Sequence, residues 1–233
     1  PFRLLTPAEQ TLVHHALTTP RSPDIMIQQI GSDRVLLRSL HTLLPNTWLN
    51  DEVIHFYFLL LIRRDTQLSS LTPSFCRSAY YKSFFFTSLF NEAHADPRQR
   101  GHYSYHNVRR WHKRLPNQDL FQLNKLLIPV NINRSHWTCL VIHFREKRIQ
   151  YYDSMGSSGR RHLAATFHYL QDAHRDIHHT PMPNPNDWHL IECTPDTPQQ
   201  ENHYDCGVFC CAFADLLLQD APLTFSQQHV LQG

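Results

Sequence analysis

An α+β fold is predicted for this chain, as a single domain over residues 1–233. Segments of helical and of strand character alternate along its 233 residues, with neither an internal repeat nor an obvious linker. Hydrophobic residues make up 41% of the chain and aromatic residues 12%, enough apolar material for one sizeable core. With 6 glycines and many aromatic residues, the composition excludes collagen-like and disordered classes.

Two helices have clear start signals in the N-terminal part of the sequence. Thr6 and Glu9 have the spacing of a capping box, with a proline between them at the first helical position, and predict a helix to about residue 17. Asn50 is a suitable N-cap for a second helix, whose first turn carries two acidic residues. Because residues 53–62 of that helix are almost entirely apolar, we expect it to be central and buried.

The remaining elements follow from apolar runs and turn signals. Strands are predicted at 35–37, 126–130, 137–144, 148–152 and 188–193, with a turn at 145–147. Helices are predicted at 105–113, 160–173 and 206–218. The aromatic runs 84–86 and 89–90 are expected in the core, followed by a polar loop at 91–102.

Charge, hydropathy and cysteine content exclude several functional classes. The net charge of +2 at pH 7 is too small to indicate a nucleic-acid-binding surface. No apolar run approaches the ~20 residues of a membrane span, since the longest, 56–62, ends at Arg63. Six cysteines without paired spacing indicate a reducing, intracellular compartment. The chain begins with Pro1 rather than methionine, so we expect a fragment of a longer protein.

His136, Asp153 and Cys206 form the most informative set of polar residues. His136 stands just before one predicted strand and Asp153 just after the next, so an antiparallel hairpin brings both to the same open end. Neighbouring strands lie ~4.8 Å apart, which allows a hydrogen bond between imidazole and carboxylate. Cys206 begins a predicted helix, and a helix N-terminus beside an imidazolium favours the thiolate. The three residues can supply a nucleophile, a base and an orienting acid.

Three neighbouring residues extend this hypothesis. Gln200 lies on the loop that leads to Cys206, where its amide could join the Cys206 backbone N–H in an oxyanion hole. Gly207 would let the backbone approach a substrate closely, and Trp137 would overhang the reacting centre. Each residue alone has an ordinary structural explanation, as a core side chain or a solvated polar group. The hypothesis therefore depends on their combination.

Short motifs surround these residues in a fixed order. They are WLND at 48–51, SHW at 135–137, YYDS at 151–154 and QENHYDCG at 200–207, with weaker matches in FFFTSL at 84–89 and VRRW at 108–111. Over residues 32–225 the chain resembles the Ulp/SENP-type SUMO proteases, cysteine proteases related to adenovirus protease. The resemblance implies a papain-like or adenain-like α+β fold. In that fold a central mixed sheet is flanked by helices, and the nucleophile lies at a helix N-terminus.

The resemblance also implies a reaction, the hydrolysis of the bond after the C-terminal Gly-Gly of a ubiquitin-like modifier. That modifier is expected to be SUMO, in a precursor or in an isopeptide to a target lysine. By resemblance, Cys206 is the nucleophile and His136 the general base. Asp153 orients the imidazole, and Gln200 contributes to the oxyanion hole.

Substrate contacts are implied by the same resemblance. Trp48 and Trp137 would form the walls of a narrow tunnel, which only glycine can pass because it has no β carbon. Asp51 resembles a position that pairs with a basic residue of the modifier, and Gly207 borders the nucleophile. A helix-entry role without a partner explains Trp48 and Asp51 as well. We expect a monomer with no cofactor and no metal, located in the nucleus by the habit of the family.

Other functions stay open from the sequence. A related enzyme could act on ubiquitin instead, as effectors secreted by intracellular bacteria do in the host cytosol. A protein acetyltransferase with a similar residue order and a modifier-binding module without activity are further alternatives. One departure from the family pattern lies after Phe225, where SQQH follows in place of a segment that usually carries arginine.

Overall fold

Helices and strands alternate through the described part of the chain. The computed structural model describes residues 4–19, 21–71 and 77–232. In chain order its elements are α1 (Pro7–Thr18), β1 (Met26–Ile30), β2 (Asp33–Leu36), α2 (Leu37–Leu40), α3 (Asp51–Leu71), β3 (Ala79–Tyr80), α4 (Phe84–Leu89), β4 (Lys125–Ile132), β5 (His136–His143), β6 (Arg148–Tyr152), α5 (Arg160–His178), β7 (His189–Ile191), α6 (Cys206–Leu218) and α7 (Gln227–Gln232). Short 3-10 turns fill much of the segment between α4 and β4.

The centre of the fold is a five-stranded mixed sheet in the order β3-β4-β5-β6-β7. Strands β4, β5 and β6 are antiparallel neighbours, whereas β3 runs parallel to β4 and β7 runs parallel to β6. Strands β1 and β2 form a separate antiparallel hairpin. Helices pack on both faces of the large sheet. The predicted α+β class, with a central mixed sheet flanked by helices, is therefore confirmed.

Alternate side chains of β5 enter different halves of the core. Cys139 and Val141 pack in the half that contains α3 and α6. Leu140 and Ile142 pack in the half that contains α4 and α5. All four side chains are fully buried. The sheet is thus covered on both faces, which explains why its central strands are apolar rather than alternating.

The α6 helix lies against β5 and is buried over almost its whole length. Its bounds are those predicted from the sequence. At its C-terminal end, the buried Lys125 Nζ donates a hydrogen bond of 2.6 Å to the Leu217 carbonyl and pairs with Asp220. A cation is favourable there because it complements the helix dipole. The helix is consequently fixed along the sheet that supports the residues at its other end.

Most local predictions are confirmed. The Glu9 carboxylate accepts a 2.8 Å hydrogen bond from the Thr6 N–H, and the Thr6 hydroxyl accepts one from the Glu9 N–H, so the capping box is complete. Asn50 Oδ1 accepts a 3.0 Å bond from the Val53 N–H and caps α3. The strands predicted at 126–130, 137–144 and 148–152 are present as β4, β5 and β6. The strand predicted at 35–37 is present as β2, which ends at Leu36. The strand predicted at 188–193 is present as β7, which is shorter than predicted.

The prediction that α3 is central and buried holds for only one side of the helix. Ile54, Phe58 and Leu61 are buried, but Leu60 on the same helix is 44% exposed. The helix packs against α6 and β2, which cover only part of its circumference. A single apolar stripe is enough for that packing.

The prediction of a helix at 105–113 is wrong. The chain forms separate 3-10 turns at Tyr105–Asn107 and Trp111–Arg114. The Tyr105 hydroxyl donates a hydrogen bond of 3.1 Å to Asp176 of α5, and the Trp111 ring packs 5.3 Å from that of Phe85 in α4. These two attachments direct the side chains to different helices. The α5 helix itself extends to His178, beyond the predicted end at 173.

Gly159, at the start of α5, is expected to be intolerant of substitution. Its φ is +66°, and a β carbon there would lie 2.2 Å from Cγ of Tyr151. Gly31 has a similar φ of +59° but nothing within 4 Å of the same position. Left-handed strain should cost about 1–2 kcal/mol in Gly31→Ala. Gly159→Ala should lose a further 1–3 kcal/mol, approximately, from overpacking.

Urea unfolding followed by circular dichroism would measure both variants. Equal losses of unfolding free energy in the two variants would contradict the steric explanation.

Candidate active site

The β5–β6 hairpin brings the predicted base and acid together. His136 is the first residue of β5, and Asp153 directly follows β6. The register pairs Cys139 with Tyr152, so both residues lie at the same end of the hairpin. His136 Nε2 lies 2.7 Å from Asp153 Oδ1, a short, charge-assisted hydrogen bond.

Asp153 is fully buried and is surrounded by hydrogen-bond donors. Its Oδ1 accepts a 2.8 Å bond from the Met155 N–H, and its Oδ2 accepts bonds from both the N–H and the hydroxyl of Ser157. Burial alone would raise the pKa of Asp153, but the hydrogen bonds from His136, Ser157 and Met155 hold it below its usual value. The carboxylate therefore stays ionised behind the imidazole.

His136 lies between this carboxylate and the sulfur of Cys206. Burial alone would lower the pKa of His136, but the hydrogen bond to Asp153 and the interaction with Cys206 raise it to about 9. Because Asp153 engages Nε2, Nδ1 is the ring nitrogen that remains for Cys206. Cys206 is the first residue of α6 and is buried.

Gln200 lies beside the end of β6. Its N–H donates a 2.9 Å bond to the Ser154 carbonyl, and the Ser154 hydroxyl donates a 2.6 Å bond to Gln200 Oε1. Gln200 Nε2 donates a 2.6 Å bond to the Asn202 carbonyl. An amide NH₂ carries two hydrogens, so one is left for another acceptor. This arrangement suits a donor to a developing oxyanion.

Ser154 and Ser157 are residues that the sequence interpretation did not assign. Ser154 orients the amide of Gln200, and Ser157 satisfies the carboxylate of Asp153. The only available signal was the presence of Ser154 in the YYDS motif. A serine near an aspartate has no distinctive spacing, because its partner is set by how the chain turns after β6.

The two tryptophans border one cavity. Trp48 and Trp137 line a space of about 910 Å³ that also contacts Asp51 and Ser135, the neighbour of His136. Trp137 is buried and donates a 2.8 Å hydrogen bond to the Leu49 carbonyl. Trp48 is 50% exposed and donates a 2.8 Å bond to the His203 carbonyl. The exposed carboxylate of Asp51 lies in the first turn of α3.

Gly207 has a packing explanation that differs from the expected one. A β carbon at Gly207 would lie 2.8 Å from Cβ of Leu49. The missing side chain therefore permits close contact between the start of α6 and the segment that precedes α3. The role of Gly207 in substrate binding stays a prediction.

Three further observations concern metal sites, membrane-spanning helices and free cysteines in the described ranges. No three histidine, cysteine or acidic side chains come together there as a metal site. None of the helices in those ranges is both long enough and apolar enough to cross a bilayer. The free cysteines in them are Cys139, Cys193, Cys206, Cys210 and Cys211.

The family is shown by sequence comparison. The model described as the Ulp1 protease family, C-terminal catalytic domain, matches residues 47–232. The chain belongs to the Ulp1 protease family. The resemblance drawn from the four motifs is thereby confirmed.

Relatives in animals and fungi are similar over most of this chain. Sentrin-specific protease 2 of Mus musculus is 32% identical over 209 residues, which cover 89% of this chain and 32% of that protein. Ubiquitin-like-specific protease 1 of Saccharomyces cerevisiae is 32% identical over 199 residues, which cover 85% of this chain and 28% of that protein. The chain thus spans about a third of the length of these relatives.

A solved structure of the family has the same fold. The C-terminal Ulp1 protease domain, in complex with Smt3, the yeast ortholog of SUMO, superposes with a TM-score of 0.76. It is 27% identical in sequence, and the match covers 99% of this chain and 92% of that domain. The α+β cysteine protease fold implied by the resemblance is confirmed by this likeness.

The charge state of His136 should depend on Asp153. In Asp153→Asn the pKa of His136 should fall from about 9 toward its ordinary 6.5 or below, because the carboxylate that favours the imidazolium is lost. Titration of the ring protons by NMR would measure the change. His143, whose burial lowers its pKa to about 3, lies at the opposite end of β5 and serves as an internal control.

The same coupling gives a stability profile. A raised histidine pKa stabilises the fold fully below pH 6.5, and this contribution is lost as pH rises through about 9. The lowered pKa of Asp153 stabilises the fold at pH values above the pKa that this carboxyl has in the unfolded chain. This contribution is lost as the pH falls through the lower pKa of the folded state. The stability gap between the wild type and Asp153→Asn should therefore narrow at both extremes. An identical His136 titration in the two proteins would refute the pairing.

Proposed function

We propose that this domain is a thiol protease that hydrolyses the bond after the C-terminal Gly-Gly of a ubiquitin-like modifier, with SUMO as the preferred modifier. The observation that carries the proposal is the position of one imidazole between a buried carboxylate and a sulfur. His136 bonds Asp153 through Nε2, and Cys206, the first residue of α6, lies near enough to contribute to the raised pKa of His136. This is the arrangement that nucleophilic acyl transfer requires.

The first half of the reaction forms a thioester. The sulfur of Cys206 attacks the carbonyl carbon of the last glycine, and the oxygen of that carbonyl becomes an oxyanion. Gln200 Nε2 and the Cys206 backbone N–H are its proposed donors. The C–N bond then breaks as His136 transfers its proton to the leaving amine, which is a lysine side chain or a peptide nitrogen.

The second half releases the modifier. His136, now neutral, accepts a proton from water while the water oxygen attacks the thioester carbonyl. The C–S bond breaks, the thiolate is restored, and the imidazole is again protonated beside Asp153. Since Asp153 stays ionised throughout, it orients the ring and balances its charge without taking up a proton.

The substrate class is supported by the cavity and by the relatives. Trp48 and Trp137 line the same cavity, and the family resemblance implies that the passage between them admits residues without a β carbon. Asp51 offers an exposed carboxylate at the rim for a basic residue of the modifier. The relatives are named as sentrin-specific and ubiquitin-like-specific proteases, and the yeast Ulp1 domain was solved with Smt3. We further propose a reducing compartment, the nucleus, in which the thiol of Cys206 stays active.

Modifier choice would be decided by a panel of fluorogenic substrates that carry the C-terminus of SUMO or of ubiquitin. We expect turnover of the SUMO substrate by the wild type and none by Cys206→Ala. Cys211→Ala removes a buried sulfur from the same helix and should retain activity. Turnover of the ubiquitin substrate alone would show that the domain is a deubiquitinase and not a SUMO protease. Failure to cleave either substrate, or acetyl-CoA-dependent labelling of Cys206, would refute the proposal.

The oxyanion role of Gln200 can be tested separately. Gln200→Ala should lower kcat about 10²–10³-fold with little change in KM, because the donor acts only on the transition state. Gln200→Glu keeps an acceptor for Ser154 but loses the donor, so its kcat should fall at least as far. Steady-state kinetics on the preferred modifier would measure both. A raised KM with unchanged kcat would assign Gln200 to substrate binding instead.

A further inference from the structure

The loop before the nucleophile is held from several sides. We call residues 200–205 the oxyanion loop, since it runs from Gln200 to the residue before Cys206. The Ser154 hydroxyl holds its first residue, and Trp48 Nε1 holds the His203 carbonyl. A third attachment comes from the C-terminal helix α7, which no part of the reaction described above uses.

That attachment is the side chain of Gln227, which is 3% exposed. Gln227 Nε2 donates a 2.6 Å hydrogen bond to Asp205 Oδ2. Gln227 Oε1 accepts a 2.9 Å bond from the Glu201 N–H. One amide therefore ties both ends of the oxyanion loop together, through one donor and one acceptor whose roles cannot be exchanged.

From Gln227 a continuous set of hydrogen bonds leads to Gln200. Asp205 Oδ2 also accepts a 2.7 Å bond from Asn202 Nδ2. Asn202 Oδ1 in turn accepts bonds from the N–H groups of Tyr204 and Asp205, at 3.1 and 3.0 Å. The Asn202 carbonyl accepts the bond from Gln200 Nε2. The direction of the Gln200 amide is thus coupled to the position of Asn202, and through Asp205 to Gln227.

Gln227 is kept in place by aromatic packing next to it. Phe225 is buried, and its ring centroid lies 5.3 Å from that of Phe209 and 5.5 Å from that of Phe213, both in α6. The segment that carries Gln227 is therefore anchored to the same helix that presents Cys206. A buried amide on an anchored segment is a rigid support.

We propose that Gln227 is a positioning residue for the oxyanion hole, which rests on the function proposed above. It holds the oxyanion loop so that Gln200 and the Cys206 N–H converge on one oxygen. Displacements near 1 Å in such supports cost up to about 10²-fold in rate. Gln227→Met, which keeps the length but not the hydrogen bonds, should lower kcat by about 10- to 100-fold with KM nearly unchanged. Gln228→Ala, at the exposed neighbouring position, should behave as the wild type.

A charge-swap pair tests the hydrogen bonds directly. Gln227→Glu can still accept from the Glu201 N–H, but its carboxylate faces that of Asp205 and should impair activity. Asp205→Asn alone can present its Oδ1 to both Gln227 Nε2 and Asn202 Nδ2, so its effect should be smaller than that of Gln227→Glu. In the double variant two carboxylates no longer face each other and the asparagine can donate to the glutamate, so we expect substantial recovery of kcat relative to Gln227→Glu. Mere loss of folding would not be repaired in this way.

A measurement independent of substrate completes the test. Hydrogen exchange of the peptide that spans 200–206, read by mass spectrometry, should speed up in Gln227→Met and in Gln227→Glu. It should return toward the wild-type rate in the double variant and stay unchanged in Gln228→Ala. Unchanged exchange in Gln227→Met would refute the attachment. Faster exchange with normal kcat would refute its role in the reaction.

The two proposals fail in different ways. If the wild type cleaves neither modifier, the proposed function is wrong, while the exchange data still decide whether Gln227 holds the loop. If the wild type is active and the double variant shows no recovery, the positioning role is wrong and the proposed function stands. Melting temperatures of all variants separate a local effect from a global one.

Discussion

The ionised carboxylate of Asp153 is the constraint on which the site depends. It is fully buried, and a buried charge is tolerated only when donors replace the water that it has lost. The donors come from His136 on the neighbouring strand and from Met155 and Ser157 on the turn that follows β6. The buried carboxylate requires these donors. This requirement explains both the turn that the chain makes after β6 and the protonation of the His136 imidazole. The fold around the carboxylate therefore also favours the protonated form of His136.

Rigid elements hold the groups that must meet. The proposed base and acid, His136 and Asp153, lie at the end of one antiparallel hairpin, and the proposed nucleophile, Cys206, begins a helix packed along that hairpin. Close contact between Gly207 and Leu49 sets the near end of α6, while the buried ammonium of Lys125 occupies the far end. Only the proposed oxyanion donor, Gln200, lies on a loop, and that loop is bonded to three other parts of the fold. Sites built on helices and strands hold their geometry more accurately than sites on loops.

Sequence-based prediction succeeded where a signal was local. A capping box, an asparagine N-cap and three successive apolar strands with a tight turn each specify their own geometry over a few residues. Prediction failed where packing against elements distant in the sequence decided the structure. Residues 53–62 are apolar almost all round, yet Leu60 is exposed because α6 and β2 cover only part of α3. Residues 105–113 do not form the predicted helix, since Tyr105 and Trp111 are drawn to different helices.

By itself the sequence determined the class of fold, the hairpin that pairs His136 with Asp153, and the helix that starts at Cys206. Strand order around a tight turn and the start of a buried helix follow from neighbours in the chain, so they can be inferred without coordinates. Only the tertiary structure decided which distant groups complete the site. Ser154 reaches across 46 residues to Gln200, and Gln227 returns across 22 to Asp205. Such contacts depend on how whole elements pack, and hydrogen-bonding side chains leave no periodic pattern in the sequence that would reveal their partners.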